Sequence, residues 1–153
     1  MPQAPEIDRL AHYALVVSDI DATSRWYHDV LGAEVPERKA GFPPQIVLAG
    51  TIIDMFPMGG TSPAGLSFGV PVPGSIGQHH AFSIKLDQYD AWASHFEAIG
   101  QQYRRAAHGT RFLSIYVDDP DGYHIELTVI FDDDSKGADE INKRGLSPTF
   151  VSG

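Results

Sequence analysis

The chain has no cysteine among its 153 residues. This excludes disulfides, thiolate catalysis and every Cys-ligated zinc or iron-sulfur site, so any bound metal is held by histidine, carboxylate and water. Long apolar runs are also missing; none approaches the ~20 residues that a membrane-spanning helix needs. The N-terminal stretch Met1-Pro-Gln-Ala-Pro-Glu lacks the charged and apolar regions of a secretory leader, and a cytoplasmic address is the expectation. Positive charge is scarce: 11 Lys and Arg stand against 20 Asp and Glu, a formal net charge of −9. That balance argues against nucleic acid and anionic membrane as partners and leaves a small molecule as the expected ligand. With 42% hydrophobic residues, the chain is expected to form a single domain over 1–153 with a core of its own.

What is present is a duplication. His12-Tyr-Ala-Leu-Val-Val returns as His79-His-Ala-Phe-Ser-Ile, and each copy puts a histidine at the start of a strand. Behind each comes a helix that ends on glycine, Gly32 and Gly100, as a left-handed C-terminal cap requires. Each half closes on a strand with an acid four residues past a glycine, Gly50 to Asp54 and Gly122 to Glu126. The spacing predicts a strand near 9–17, a helix near 20–31 and strands near 33–38, 44–50 and 51–57. The second half repeats the order, with a strand near 79–86, a helix near 88–99 and strands near 102–105, 111–118 and 123–130. The fold expected is α+β, two βαβββ modules over about 9–57 and 79–130. Trp26, Val30 and Leu31 on the first helix, and Tyr89, Trp92, Phe96 and Ile99 on the second, fall at core-facing steps. Their plain reading is packing. The Gly- and Pro-rich stretch from Pro57 to Gln78 reads either as a functional lid or as a passive connector. Residues 131–153 read as a polar, solvent-exposed tail without chemistry.

Strand parity sorts the histidines. Tyr13, Leu15 and Val17 are expected on the helix side of the first strand, with His12, Ala14 and Val16 on the other. In the second copy Phe82 and Ile84 take the helix side together with His80, leaving His79 as the partner of His12. An alternative alignment, pairing Asp19 with Asp87, would choose His80. In the last strand Tyr123, Ile125, Leu127 and Val129 form the apolar face, and His124, Glu126 and Thr128 the opposite one. A carboxylate at the middle of a strong strand is costly to bury unless it meets a cation or a hydrogen-bond network. Two imidazoles and a carboxylate, His12, His79 and Glu126, form a ligand set suited to Fe(II) oxygen chemistry and tolerated by Mn(II), Co(II), Ni(II) or Zn(II). Asp54 is either a further ligand or an acid with local hydrogen bonds.

The two His-x-Ala strands, the helix ending Trp26-Tyr-His-Asp-Val-Leu-Gly and the strand Asp119-Pro-Asp-Gly-Tyr-His-Ile-Glu-Leu resemble the vicinal oxygen chelate superfamily over roughly residues 9–130. That superfamily includes glyoxalase I, fosfomycin-resistance transferases, bleomycin-binding proteins and extradiol ring-cleavage dioxygenases. The resemblance implies paired βαβββ modules in a cup-shaped mixed sheet around a divalent metal, with His12, His79 and Glu126 at the ligand positions. It implies Asp54 where glyoxalases supply a fourth ligand, and a homodimer that sometimes completes the metal site across its interface. His108, Ile115-Tyr116, Asp119-Pro120, Gly122 and Glu126 resemble the extradiol signature in spacing, with Ala106 a departure from it. On that likeness Tyr116 hydrogen-bonds a bound diol and His108 supports the site from nearby.

The function expected first is an extradiol-type dioxygenase acting on a catechol-like molecule with Fe(II) and O2, a combination of templating, Lewis acidity and redox. It needs an acid-base histidine near neutrality. Pro57 to Gln78 holds none, so His80, His108 or His124 would serve, and parity favours His124. His28 and His95 are expected on helices facing solvent. The second expectation is a glyoxalase-like isomerase or lyase with a four-ligand divalent metal. A fosfomycin transferase is disfavoured, because Ala14 stands where that group has a threonine. The third is a metal-free drug-binding protein of the bleomycin type.

Overall fold

The computed structural model describes residue 5, residues 10–60 and residues 79–147, so most of the lid or connector expected over 57–78 lies outside the described residues. The chain falls into two compact units, 1–71 and 72–153, and each contains one α+β module built on a mixed sheet.

In the first unit the order is β1 (His12–Val17), α1 (Ile20–Leu31), β2 (Gln45–Leu48) and β3 (Thr51–Pro57). The sheet runs β1-β3-β2, with β1 parallel to β3 and β2 antiparallel to it. Asp19 caps α1 by accepting from the Ala22 amide at 2.9 Å, and Gly32 ends it at φ 71, where an L side chain would be strained. Thr23, Ser24, Tyr27, Val30 and Leu31 face the core. Tyr27 is fully buried and Trp26 only half-buried, a one-residue rotation from the expected stripe. The strand expected at 33–38 is reduced to a single bridge, Glu34 with Val47. Pro36 has no amide to donate there, and the charged run Glu37-Arg-Lys follows it at the sheet edge.

The second unit contains β4 (His79–Ser83), α2 (Leu86–Ile99), β5 (Arg104–His108), β6 (Phe112–Asp118), β7 (His124–Ile130) and α3 (Asp134–Lys143). Its sheet order is β4-β7-β6-β5, with β4 parallel to β7 and the other pairs antiparallel. The strand-for-strand match with the first unit is direct: β1 with β4, β2 with β6, β3 with β7. On α2, Tyr89, Ala93 and Phe96 are buried, whereas Ile99 is exposed one residue before the Gly100 cap. His28 is exposed and His95 half-buried against Trp92 and Phe96.

The tail expectation is corrected. Residues 134–143 form α3, capped by Asp133 accepting from the Lys136 amide at 2.9 Å. Ile141 is fully buried. Gly137 passes so close to the Thr110 carbonyl that a Cβ there would lie 1.8 Å from its oxygen, so glycine is required by contact rather than by φ. Arg144, just past α3, binds Asp90 at 2.8 Å and lies 5.3 Å over the Tyr89 ring. The acidic run Asp132-Asp-Asp disguised a helix start as a solvated tail.

Candidate metal centre

The same local construction appears once in each unit. In β1, Ala14 lies opposite Asp54 of β3; in β4, Ala81 lies opposite Glu126 of β7. In both strands the histidine stands two residues earlier, on the same face, so it reaches diagonally to the acid. His12 Nε2 lies 3.5 Å from Asp54 Oδ2, and His79 Nε2 lies 2.7 Å from Glu126 Oε2. His80 sits opposite Ile125, with its ring edge-on to Tyr123. Burial is the larger cause, and the neighbouring His79 the smaller, that lowers its pKa. The register therefore pairs His79, and not His80, with His12 as structural equivalents. Asp54 is the equivalent of Glu126.

The donor types suit a divalent cation. In their ligating forms an imidazole nitrogen and a carboxylate oxygen each present a lone pair, and two lone pairs at 2.7 Å need a proton or a cation between them. Both acids are buried in mid-strand, where a carboxylate is costly without such company. Within each unit the described residues offer these ligands in pairs, not in groups of three or more.

The other expected site residues lie on the same face of the second sheet. Tyr116 pairs with Glu126 across β6 and β7. Its hydroxyl hydrogen-bonds with His108 Nε2 at 2.8 Å. Burial first, then the Glu126 charge, push the Tyr116 hydroxyl well above the usual phenol range, so it remains a neutral donor. His124 Nδ1 donates to Asp118 Oδ1 at 2.5 Å, since a carboxylate only accepts. Asp118 also takes a two-pronged bond from Arg104, at 2.9 and 2.8 Å. That guanidinium is the main cause lowering the Asp118 pKa to about 2.

Sequence reasoning missed the groups that hold the acids. Gln45 Nε2 donates to Asp54 Oδ1 at 2.8 Å, and Ser114 Oγ donates to Glu126 Oε1 at 2.5 Å. Gln45 was within reach of pattern reading. The two-residue loop Ala49-Gly50, both at positive φ, sets Leu48 opposite Thr51 and, counting back, Gln45 opposite Asp54. No comparable sequence signal marks Ser114.

Residues 9–127 match the family described as the Glyoxalase/Bleomycin resistance protein/Dioxygenase superfamily. None of the curated proteins matches the chain. Among solved structures, the chain is similar to the fosfomycin resistance protein FosX from Listeria monocytogenes, with 22% identity over 85% of this chain and 98% of that one and a TM-score of 0.65. A variant of that protein complexed with Mn(II) and 1S,2S-dihydroxypropylphosphonic acid is 20% identical over 85% and 98% of the two chains, with a TM-score of 0.64. A lactoylglutathione lyase from Agrobacterium tumefaciens is 24% identical over 82% and 96%, with a TM-score of 0.63. At these identities the likeness is one of fold. Nearness to extradiol dioxygenases is not among these findings.

Proposed function

Because the chain belongs to the glyoxalase/bleomycin resistance protein/dioxygenase superfamily, we propose that it is a glyoxalase-like isomerase or lyase that uses a divalent metal, with His12, Asp54, His79 and Glu126 as the ligands. The observation that carries this reading is the repeated register, which gives the first module a carboxylate where the second has Glu126. Four protein donors leave room for a substrate chelating through two oxygens but not for O2 beside it, whereas three leave room for both. The donor count therefore moves the reading from ring cleavage towards non-redox chemistry. Mn(II), Zn(II), Ni(II) and Co(II) all suit imidazole and carboxylate donors, as does Fe(II).

When bound, the metal supplies Lewis-acid polarisation of a substrate oxygen. The chain's own groups do the rest. The neutral Tyr116 hydroxyl, held by His108, donates a hydrogen bond to a substrate oxygen. Asp118 accepts the Nδ1 proton of His124, so the neutral ring would carry its lone pair on Nε2, where it could act as base towards substrate. The substrate class is a small molecule with two vicinal oxygens. The chain works as a homodimer on this reading.

The first test is the metal content of anaerobically purified protein, followed by reconstitution with each of the five metals and assays on lactoylglutathione, fosfomycin and a panel of catechols. Stoichiometric metal, turnover without oxygen uptake and loss of both in Glu126→Ala is the expected result. Oxygen uptake with catechols would restore the dioxygenase reading, which the His108–Tyr116 hydrogen bond favours. A protein that takes up no metal would leave the drug-binding reading.

A further inference from the structure

We infer that Gln45 and Ser114 are positioning residues that fix which oxygen of each acid is offered as a ligand, an inference that rests on the metal-dependent reading above. The two acids are held in the same way by unrelated side chains. In the first unit, Gln45 Nε2 binds Asp54 Oδ1 and Asp54 Oδ2 faces His12. In the second, Ser114 Oγ binds Glu126 Oε1 and Glu126 Oε2 faces His79. In each case one oxygen is tied to the neighbouring antiparallel strand and the other is turned to the histidine.

The direction of these hydrogen bonds follows from the groups themselves. A carboxylate only accepts, so the Gln45 amide must present its NH2 to Asp54. Ser114 has a single hydroxyl proton, and at 2.5 Å it goes to Glu126. The 2.9 Å contact between Ser114 Oγ and Thr128 Oγ1 must then have Thr128 as donor. The chain runs Thr128 to Ser114 to Glu126, with all three residues buried. It supplies proton density to one oxygen only. A carboxylate bound in this way is held against rotation of its free oxygen away from the histidine. Such outer partners of metal ligands typically change affinity by ~10–100-fold when removed.

The experiment titrates Mn(II) alone into the full chain and into Gln45→Met, Asp54→Asn and the double variant. Methionine keeps the length of Gln45 and removes its donor. The expected result is a Mn(II) affinity ~10–100-fold weaker in Q45M, no further loss when Q45M is added to D54N, and an unchanged thermal midpoint for the metal-free protein. The electron paramagnetic resonance spectrum of bound Mn(II) should change in Q45M, which a merely structural role would not produce. Ser114→Ala and Ser114→Cys provide the matching pair against Glu126→Gln. The weak thiol donor should give an intermediate affinity, and it keeps the test open if the alanine variant does not fold. Unchanged affinity in Q45M and S114C, or losses that add fully to those of D54N and E126Q, would overturn the inference while leaving the metal reading intact. Absence of Mn(II) binding by the unsubstituted chain overturns both.

Discussion

The two modules are built to one pattern, yet they hold their His and acid pairs with unequal firmness. In the second module His79 is 28% exposed and stands 2.7 Å from Glu126, and the acid is held by Ser114, itself backed by Thr128. In the first, His12 is 56% exposed and 3.5 Å from Asp54, and the acid is held by the half-buried Gln45. Aspartate is one methylene shorter than glutamate, so the same diagonal reach leaves a longer gap. The second module also carries α3, which clamps its sheet and α2 through Ile141 and Arg144. A duplicated unit can thus keep its register and diverge in rigidity. The second copy holds its pair the more closely.

The sharpest way to break this comparison is Glu126→Gln. Its loss of Mn(II) affinity should exceed the ~10–100-fold expected of an outer partner, because it replaces a charged ligand oxygen and leaves the Ser114 hydroxyl facing a weaker acceptor. Asp54→Asn should weaken binding less than E126Q in the same titration. If the order is reversed, the first module and not the second is the anchor.

Next comes Gly137→Ala, which tests whether α3 supports the rigid copy. The Thr110 carbonyl stands where the new methyl must go, and overpacking of that kind costs about 1–3 kcal/mol. Chemical denaturation should report a loss in that range, and an unchanged midpoint would show that α3 is not clamped at this point. Mixing His12→Ala with Glu126→Ala separates the two ways of combining the modules. If a site takes one pair from each of two chains, a mixed dimer regains one intact site and part of the Mn(II) capacity. If both pairs come from one chain, the mixture binds no better than its components.

The smallest expected effect concerns Asp118. Its folded pKa of about 2 lies below the unfolded value of 3.8, so its contribution to stability is fully present above roughly pH 4 and is lost as pH falls through 2. Asp118→Asn should flatten the acid limb of a pH-denaturation curve slightly. The effect is small because the side chain is 40% exposed and its pair with Arg104 is screened by water.

Much of this arrangement was already legible in the residues. Gly32 and Gly100 end α1 and α2 as read, and alternation put His79 and Glu126 on the faces opposite the apolar residues of their strands, because capping and pleat act over a few neighbouring residues. The extradiol likeness of the His108 to Glu126 stretch did correspond to a real contact, His108 on Tyr116. Spacing alone did not distinguish a catalytic signature from a shared fold.

The sequence by itself determined the duplication, the local starts and stops of its helices and the side-chain parity of its strands, all properties of short range. Only the tertiary structure decided which strand residues stand opposite one another. From that came the pairing of His79 and not His80 with Glu126, Ser114 as the group holding Glu126, the reduction of the 33–38 strand to one bridge, and the docking of α3 on the second sheet. The reason is that a hydrogen bond between strands joins residues far apart in the chain. Its partner is chosen by register and packing, which no window of neighbouring residues contains.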